Sequence, residues 1–135
     1  MEIKSHRDLV VWQKGMDLVV LIYELTKSMP KAEQYGLTSQ LQRAAVSIPA
    51  NLAEGNARGS RKDYARFVGI ARGSAAELET LLTLANRMSL IAGTAITSAF
   101  AQTEEVGRML TALKAKLSQD ASGFAEEEQS LIHNP

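Results

Sequence analysis

The sequence contains no cysteine, and this absence excludes disulfides, thiol catalysis and thiolate metal sites. It suits a reducing cytosol, so we expect the protein to be cytoplasmic. Only two histidines are present, His6 and His133, each near one end of the chain. They provide no histidine pair for a zinc or di-iron site and no central histidine for acid–base chemistry. These absences argue against an enzyme, and we expect no catalytic residue, no metal and no cofactor.

Long apolar runs, proline and aromatic residues are also scarce. No stretch reaches about 18 consecutive apolar residues, so we expect no membrane-spanning segment. Residues 10–25 are rich in apolar side chains, but charged and polar residues interrupt them, which is not typical of a signal peptide. The chain has three prolines and 5% aromatic residues beside abundant alanine and leucine, a composition that favours helix over strand.

The charges balance over the whole chain but not along it. The 135 residues include 15 basic and 15 acidic ones, and the length suits one domain. All 15 basic residues and 11 acidic ones precede Ser118, so residues 1–117 carry a net charge of +4. The four remaining acidic residues lie in 118–135, where the apolar period is lost. We predict a helical domain over 1–117 and an acidic, disordered tail over 118–135.

Apolar residues recur every three or four positions in four segments, which predicts four helices over 5–28, 37–56, 60–88 and 94–117. The pairs Ser5 and Asp8, and Ser60 and Asp63, have the spacing of capping boxes. Pro49 lies inside the second helix and predicts a kink there; the alternative is that the kink shapes a subunit contact. Short connections favour an all-α, up-down-up-down antiparallel four-helix bundle.

A narrow polar seam runs along the second helix. At about 100° per residue, its four polar residues fall within an arc of roughly 80°, with apolar residues on both sides. These four are Arg43, Ser47, Asn51 and Glu54. Polar groups placed in this way need hydrogen-bonding partners, which the third helix can supply. We predict that Arg43 pairs with Glu77 or Glu54 through its planar guanidinium. The predicted network consists of Arg43, Ser47, Asn51, Glu54, Ser74 and Glu77.

Three interpretations of this network stay open. The favoured one is that it fixes helix register and an assembly contact. The second is a ligand or nucleic-acid site. The third is catalysis by Arg43, Glu54 and Glu77, for which nothing in the sequence marks a substrate pocket.

Two helices carry more apolar residues than one stripe needs, and surplus apolar surface on a small bundle indicates a partner interface. We therefore predict a homo-oligomer. The surplus residues are Val10, Val11, Val20 and Ile22 in the first helix and Ile70, Leu81 and Leu84 in the third.

The densest group of basic residues surrounds the predicted start of the third helix, where free backbone N–H groups also favour anions. One interpretation is an ordinary solvated loop. The other is a rim that contacts the phosphates of RNA or DNA without sequence specificity and with strong salt dependence. Tyr64 and Phe67 are able to stack on bases, but their period assigns them to the core. The basic residues are Arg58, Arg61, Lys62, Arg66 and Arg72.

Several segments together resemble a four-helix-bundle family that is often encoded in intervening sequences of large-subunit ribosomal RNA genes. They span about residues 6 to 90, and each alone is a weak signal, whereas the combination is specific. In chain order the segments are Arg7-Asp8-Leu9 with Val11-Trp12-Gln13-Lys14, Tyr35-Gly36-Leu37 with Gln40-Leu41, the run from Arg43 to Gly55, and Gly73-Ser74-Ala75-Ala76-Glu77-Leu78-Glu79.

The resemblance implies a four-helix protomer and a ring-shaped homopentamer. It also implies kinship in fold with the accessory protein of diversity-generating retroelements, which associates with a reverse transcriptase and binds nucleic acid through a basic surface. This chain departs from those strongly basic relatives, because its net charge is zero and its C-terminal end is acidic.

Two functions remain in competition. The first is a non-enzymatic oligomeric scaffold or binding protein that contacts nucleic acid, or a nucleic-acid-processing partner, through the basic rim. The alternative is a purely structural or protein–protein interaction module without nucleic-acid binding. The expected partners are further copies of the chain, RNA or DNA, and a protein; no membrane is expected.

Overall fold

A computed structural model describes the backbone of residues 5–133 and the side chains of residues 5–118 apart from that of Asp8. Within this part the chain forms helices and no strand, so the prediction of an all-α fold with four helices is confirmed. Short 3-10 turns at His6–Asp8 and Lys31–Glu33 precede the first two helices. The α-helices are α1 (Val10–Thr26), α2 (Leu37–Ala57), α3 (Arg61–Arg87) and α4 (Gly93–His133).

The start of α1 differs from its prediction. Ser5 does act as a cap, but of the 3-10 turn: the Arg7 amide donates to Ser5 Oγ at 3.2 Å. Leu9 then takes an extended backbone conformation, and α1 begins only at Val10. The pairing of Ser5 with Asp8 as a capping box for α1 is therefore wrong, because the extended residue separates the turn from the helix.

The fourth helix is longer than predicted. It continues past Leu117, where its apolar period ends, to His133. The backbone is therefore helical over 118–133, which differs from the disordered tail predicted for 118–135. The side chains of 119–135 lie outside the described residues, and the domain boundary at 117 stays a prediction.

Local chemistry explains both ends of α3. Ser60 Oγ accepts the Asp63 amide at 3.1 Å, which confirms the predicted cap. At the other end, Ser89 has a positive φ of 55°, and the Leu90 amide donates to the Ala85 carbonyl at 2.9 Å. This is the Schellman pattern, which satisfies carbonyls that the end of a helix would otherwise leave unpaired.

Each α-helix contacts two others, because α1 packs on α2, α2 on α3, α3 on α4, and α4 on α1. The four apolar stripes meet inside this ring, and burial of the large aliphatic side chains there is the main source of stability. The largest fully buried aliphatic residues are Leu18, Ile22, Leu41, Ile48, Leu52, Leu78, Leu82, Leu110, Val68 and Val106.

Small residues let the helices approach closely at two points. Gly15 of α1 faces Ile48 and Pro49 of α2, where a Cβ on the glycine would lie 3.5 Å and 3.7 Å from their side chains. Pro49 lies within the continuous helix α2 and is buried against α1 inside the chain, not on an outer face. Gly55 of α2 lies so close to α3 that a Cβ there would come within 2.7 Å of the Phe67 Cβ.

Among the described residues, none of the helices is both long enough and apolar enough to span a bilayer.

Candidate assembly and nucleic-acid interface

Three of the six predicted network residues do form hydrogen bonds with each other. Ser47 Oγ of α2 and Ser74 Oγ of α3 lie 2.7 Å apart. The Asn51 side-chain amide donates to Ser47 Oγ at 2.9 Å and to the Ser47 carbonyl at 2.7 Å. Ser74 is buried, and Ser47 and Asn51 are half-buried. The Ser47–Ser74 bond ties α2 to α3 and helps to fix their register, and the two Asn51 bonds, both within α2, hold Ser47 in place.

The charged members of the predicted network do not join it. Arg43 and Glu77 are both exposed, and neither makes an ion pair or side-chain hydrogen bond within the described part of the chain. Glu54 instead pairs with Arg58, the residue that follows the end of α2, at 2.7 Å. The predicted pairing of Arg43 with Glu77 or Glu54 is therefore wrong inside a single chain: Glu54 has a nearer partner, and Arg43 and Glu77 are exposed at the surface.

Arg43 and Glu77 nevertheless line one groove between α2 and α3. It has a volume of about 300 Å³, and Gln40, Ala44 and Ser47 complete its lining. Glu54 is not among these residues, so the structure does not gather the trio of the catalytic interpretation around one cavity. The polar seam thus has a hydrogen-bonded inner edge and a charged outer edge that is open to the surface.

The surplus apolar residues divide into buried and exposed ones. Val11, Ile22 and Leu81 are buried in the core. Val20 is 63% exposed on α1, and Ile70 and Leu84 are 42% and 44% exposed on α3. Val10, the remaining surplus residue, is 56% exposed. Other large apolar side chains are exposed as well; these are Met16, Tyr23, Tyr35, Val46 and Met88.

Two of the predicted nucleic-acid contacts are held by an aromatic ring. The guanidinium carbons of Arg58 and Arg66 lie 5.0 Å and 4.5 Å from the centroid of the Phe67 ring. Each also faces a carboxylate: Arg58 is paired with Glu54 at 2.7 Å, and Arg66 lies 3.9 Å from Asp63. Cation–π contacts of this kind restrict the arginine rotamers and keep both charges on one surface.

Phe67 and Tyr64 belong to the interior, as their sequence period predicts. Phe67 is only 8% exposed. Tyr64 is half-buried, and burial raises the pKa of its phenol above the ordinary value. Their rings are thus engaged within the protein and not presented for stacking on bases.

The remaining basic residues are spread along α3. Arg61 and Lys62 lie in its first turn and are exposed. Arg72 lies ten residues beyond Lys62, about 15 Å further along the helix, and it faces α4. The five predicted residues are therefore spread from the end of α2 along α3, with Arg72 apart from the others, and do not form one compact patch.

Two basic residues of α4 lie near Arg72, and the local sequence pattern does not predict them. Lys114 and Arg108 line grooves that Arg72 also lines. They are more than 30 residues from Arg72 in sequence, so only the packing of α4 against α3 reveals their proximity.

No metal site emerges from the side chains that can be described. No three of their histidine, aspartate and glutamate groups come together in the way that would hold an ion. The expected absence of a cofactor stays a prediction.

The fold places the protein among small all-helical proteins built from four helices. Within that class, the chain belongs to the family described as 23S rRNA-intervening sequence protein, whose model matches residues 7–112. This match confirms the family resemblance of the sequence motifs. The link to the accessory protein of diversity-generating retroelements stays a prediction.

One solved structure is similar over most of the chain. It is the crystal structure of a protein of unknown function from the S23 ribosomal protein family of Bacteroides thetaiotaomicron. The sequences are 27% identical, the TM-score is 0.73, and the match covers 78% of this chain and 98% of that one. No sequence among the curated proteins matches the chain.

Proposed function

We propose that the protein is a non-enzymatic scaffold built from several copies of this chain. Each copy is an up-down-up-down antiparallel four-helix bundle, and the copies form a ring, which the family resemblance implies to be a pentamer. The scaffold presents its basic surface to nucleic acid or to a nucleic-acid-processing partner. The observation that carries the proposal is the amount of apolar surface that one copy leaves uncovered.

The order of contacts supports the antiparallel arrangement. Ser47 of α2 lies opposite Ser74 of α3, and Gly55 lies opposite Phe67. Residue numbers therefore fall along α3 as they rise along α2. The three residues between α2 and α3 are too few to return the chain to the far end of the bundle, so they join antiparallel neighbours.

Two apolar surfaces support self-association. Met16, Val20 and Tyr23 are each at least 43% exposed, and at about 100° per residue they share one face of α1. Ile70 and Leu84 share an outer face of α3. Because the two surfaces lie on different helices, the α1 surface of one copy can pack against the α3 surface of the next. A head-to-tail contact of this kind closes into a ring when its rotation allows.

Sedimentation of the full-length protein at micromolar concentration tests the assembly. We expect a mass several times 14.7 kDa, and a shift toward the monomer for Val20→Glu and for Ile70→Glu. Both changes place a charge in an apolar contact, where its desolvation is costly. Lys31→Glu is the matched control, because it introduces the same side chain at an exposed site before α2. Circular dichroism checks that each variant is helical, and a wild-type monomer of 14.7 kDa contradicts the proposal.

Nucleic-acid binding is the second part of the proposal and rests on the basic surface. Arg58 and Arg66 are held in place by Phe67, and Lys62 is exposed beside them. In a ring, symmetry repeats this surface, and such repetition raises overall binding strength without new contacts. Phosphate contacts of this type bind without sequence preference and weaken as salt rises.

A gel-shift series over salt concentration tests this part, with structured RNA, single-stranded DNA and double-stranded DNA as probes. We expect a shift at low salt that the combined change Arg58→Glu, Arg61→Glu and Lys62→Glu abolishes. Arg87→Glu is the control, since Arg87 is exposed at the far end of α3. No shift at low salt removes the nucleic-acid function and favours the alternative, a structural or protein–protein interaction module.

A further inference from the structure

A groove along the outer seam between α3 and α4 has no assigned role. One part has a volume of about 470 Å³ and another about 420 Å³, and both are lined by Arg72 and Ala76. Gly73 of α3 also lines the second part and Gly107 of α4 the first, and a Cβ at either would meet nothing within 4 Å. The groove is open at these two glycines, so the backbone of another helix can come close there. Gly69 also lines the second part, but the Lys114 side chain lies across it, with Nζ 3.3 Å from the place of a Cβ.

One end of the groove is positively charged. Lys114 reaches across from α4, and its ammonium group donates to the Ala65 carbonyl at 3.3 Å. Arg72 stands beside it, exposed, with no ion pair or hydrogen bond to the residues that the structure describes. The other end is mixed, because Glu79 and Glu104 lie there with Arg108, and Arg108 is 3.9 Å from Glu104.

The chain itself carries a segment of opposite charge. Residues 118–135 contain Asp120 and Glu126 to Glu128 and have neither lysine nor arginine. Their charge of −4 balances the +4 of residues 1–117. The backbone of α4 is helical through this segment as far as His133.

The segment cannot reach the groove of its own chain while α4 is continuous. At 1.5 Å per residue, Glu127 lies about 20 Å beyond Lys114 along the same helix axis. A carboxylate that meets Arg72 and Lys114 must therefore come from another molecule.

We propose that the positive end of the α3–α4 groove binds the acidic C-terminal part of α4 from a second copy of the chain. Carboxylates of that segment accept hydrogen bonds from the Arg72 guanidinium and the Lys114 ammonium, both charge-assisted. The helix lies along the groove in the helix-in-groove mode of recognition. The proposal rests on the proposed self-association, since it requires a second copy.

Cysteine cross-linking tests the contact in full-length protein, because the natural sequence has no cysteine. Two differently tagged chains are co-expressed, one with Gly73→Cys and the other with Glu127→Cys, and treated with a short bismaleimide. A Cβ at Gly73 meets nothing within 4 Å, so this substitution fits. Lys31→Cys replaces Gly73→Cys in the control pair. We expect a cross-linked heterodimer whose yield exceeds that of the control pair by about tenfold.

Charge reversal separates docking from chance collision. Adding Arg72→Glu to the Gly73→Cys chain is expected to lower the yield about tenfold, whereas Arg87→Glu leaves it unchanged. Adding Glu126→Lys and Glu128→Lys to the Glu127→Cys chain restores the yield with Arg72→Glu. A cross-link yield that does not change with these charge reversals, or that equals the yield of the Lys31→Cys control pair, overturns the proposal.

The subunit count is read separately by sedimentation. If the oligomer persists while the cross-link is absent, this inference fails and the proposed scaffold stands. If Arg72→Glu abolishes an RNA gel shift and leaves the cross-link unchanged, the groove takes nucleic acid and this inference is wrong.

Discussion

Gly55 is the residue at which α2 and α3 tolerate no side chain. A Cβ there would lie 2.7 Å from the Phe67 Cβ and 3.3 Å from a ring carbon of Tyr64. We expect Gly55→Ala to lower the free energy of unfolding by about 1–3 kcal/mol, the usual cost of overpacking, despite the better helix propensity of alanine. Urea denaturation measures this. Gly73→Ala is the matched control, expected to raise stability by about 0.5–1 kcal/mol because its Cβ meets open space. Equal effects of both changes would contradict the close approach.

Ser89 occupies a backbone conformation that suits glycine better. Its φ is 55°, in the left-handed region, at the position after the cap of α3. We expect Ser89→Gly to stabilise the protein by roughly 0.5–1 kcal/mol, because glycine enters this region without a Cβ penalty.

The same substitution at Ser98 is the control for this prediction. Ser98 lies inside α4, where glycine is a poor helix former, so Ser98→Gly is expected to lower the melting temperature while Ser89→Gly raises it. Shifts of the same sign at both positions would rule out the conformational explanation.

At the scale of the helices, the sequence predicts what depends on local pattern. The periods over Leu41 to Leu52 and Tyr64 to Leu82 locate α2 and α3 to within one or two residues, and Ser60 marks the start of α3. The start of α1 is not predictable in this way. Ser5 is followed by Asp8 at the spacing of a helix cap, but in the structure it caps the 3-10 turn at His6–Asp8, and α1 begins at Val10. The full length of α4 is harder to predict, since Gly123 and the acidic run from Glu126 to Glu128 interrupt the apolar residues of its last part.

In the candidate site, too, local spacing predicts some contacts, whereas others depend on how the helices pack. Ser47, Asn51 and Ser74 are predictable because their spacing places them on facing helix surfaces beside apolar residues. The partner of Glu54 is not predictable, since Arg58, four residues later at the C-terminal cap of α2, competes with Arg43. The contribution of Lys114 depends on the register of α4 against α3, which no local pattern contains.

An ion pair joins α1 to α4 and makes their contact sensitive to acid. Lys14 Nζ lies 2.6 Å from Glu105 Oε1. The hydrogen bond and then the charge of Lys14 hold the pKa of the Glu105 carboxyl below its ordinary value. A lower pKa in the folded state means that the pair stabilises the fold above the unfolded pKa, and that this contribution is lost as pH falls through the folded pKa.

We therefore expect an NMR titration of the Glu105 carboxyl to show a lower pKa in the wild type than in Lys14→Gln. The difference in melting temperature between the two proteins should shrink as the solution is acidified below the wild-type pKa. Lys31→Gln serves as the control and should leave the pKa of Glu105 unchanged. A Glu105 pKa that does not change in Lys14→Gln would show that the pair is not formed in solution.

At the scale of the whole molecule, two charged residues that make no ion pair within one copy are placed to take part in the contact between copies. Arg43 and Glu77 line the same groove but make no ion pair within the described chain. They flank the hydrogen-bonded Ser47 and Ser74, at the outer edge of the face that α2 and α3 present to solvent. Glu77 lies on the same face of α3 as Ile70 and Leu84, so in the proposed ring the groove that holds Arg43 and Glu77 is covered by the α1 surface of the next copy.

This arrangement predicts a charge-swap result. Arg43→Glu and Glu77→Arg are each expected to reduce the subunit count measured by sedimentation, because each places like charges together in a partly desolvated contact. The double variant restores the opposite pair and is expected to regain the wild-type count. Thermal unfolding of each single variant should stay cooperative, since neither residue contributes to the core. Arg87→Glu, which changes an exposed arginine at the end of α3, is the control. An unchanged subunit count and unchanged stability for Arg43→Glu would show that the charged edge of the seam has no part in assembly, and would leave the apolar surfaces alone to hold the copies together.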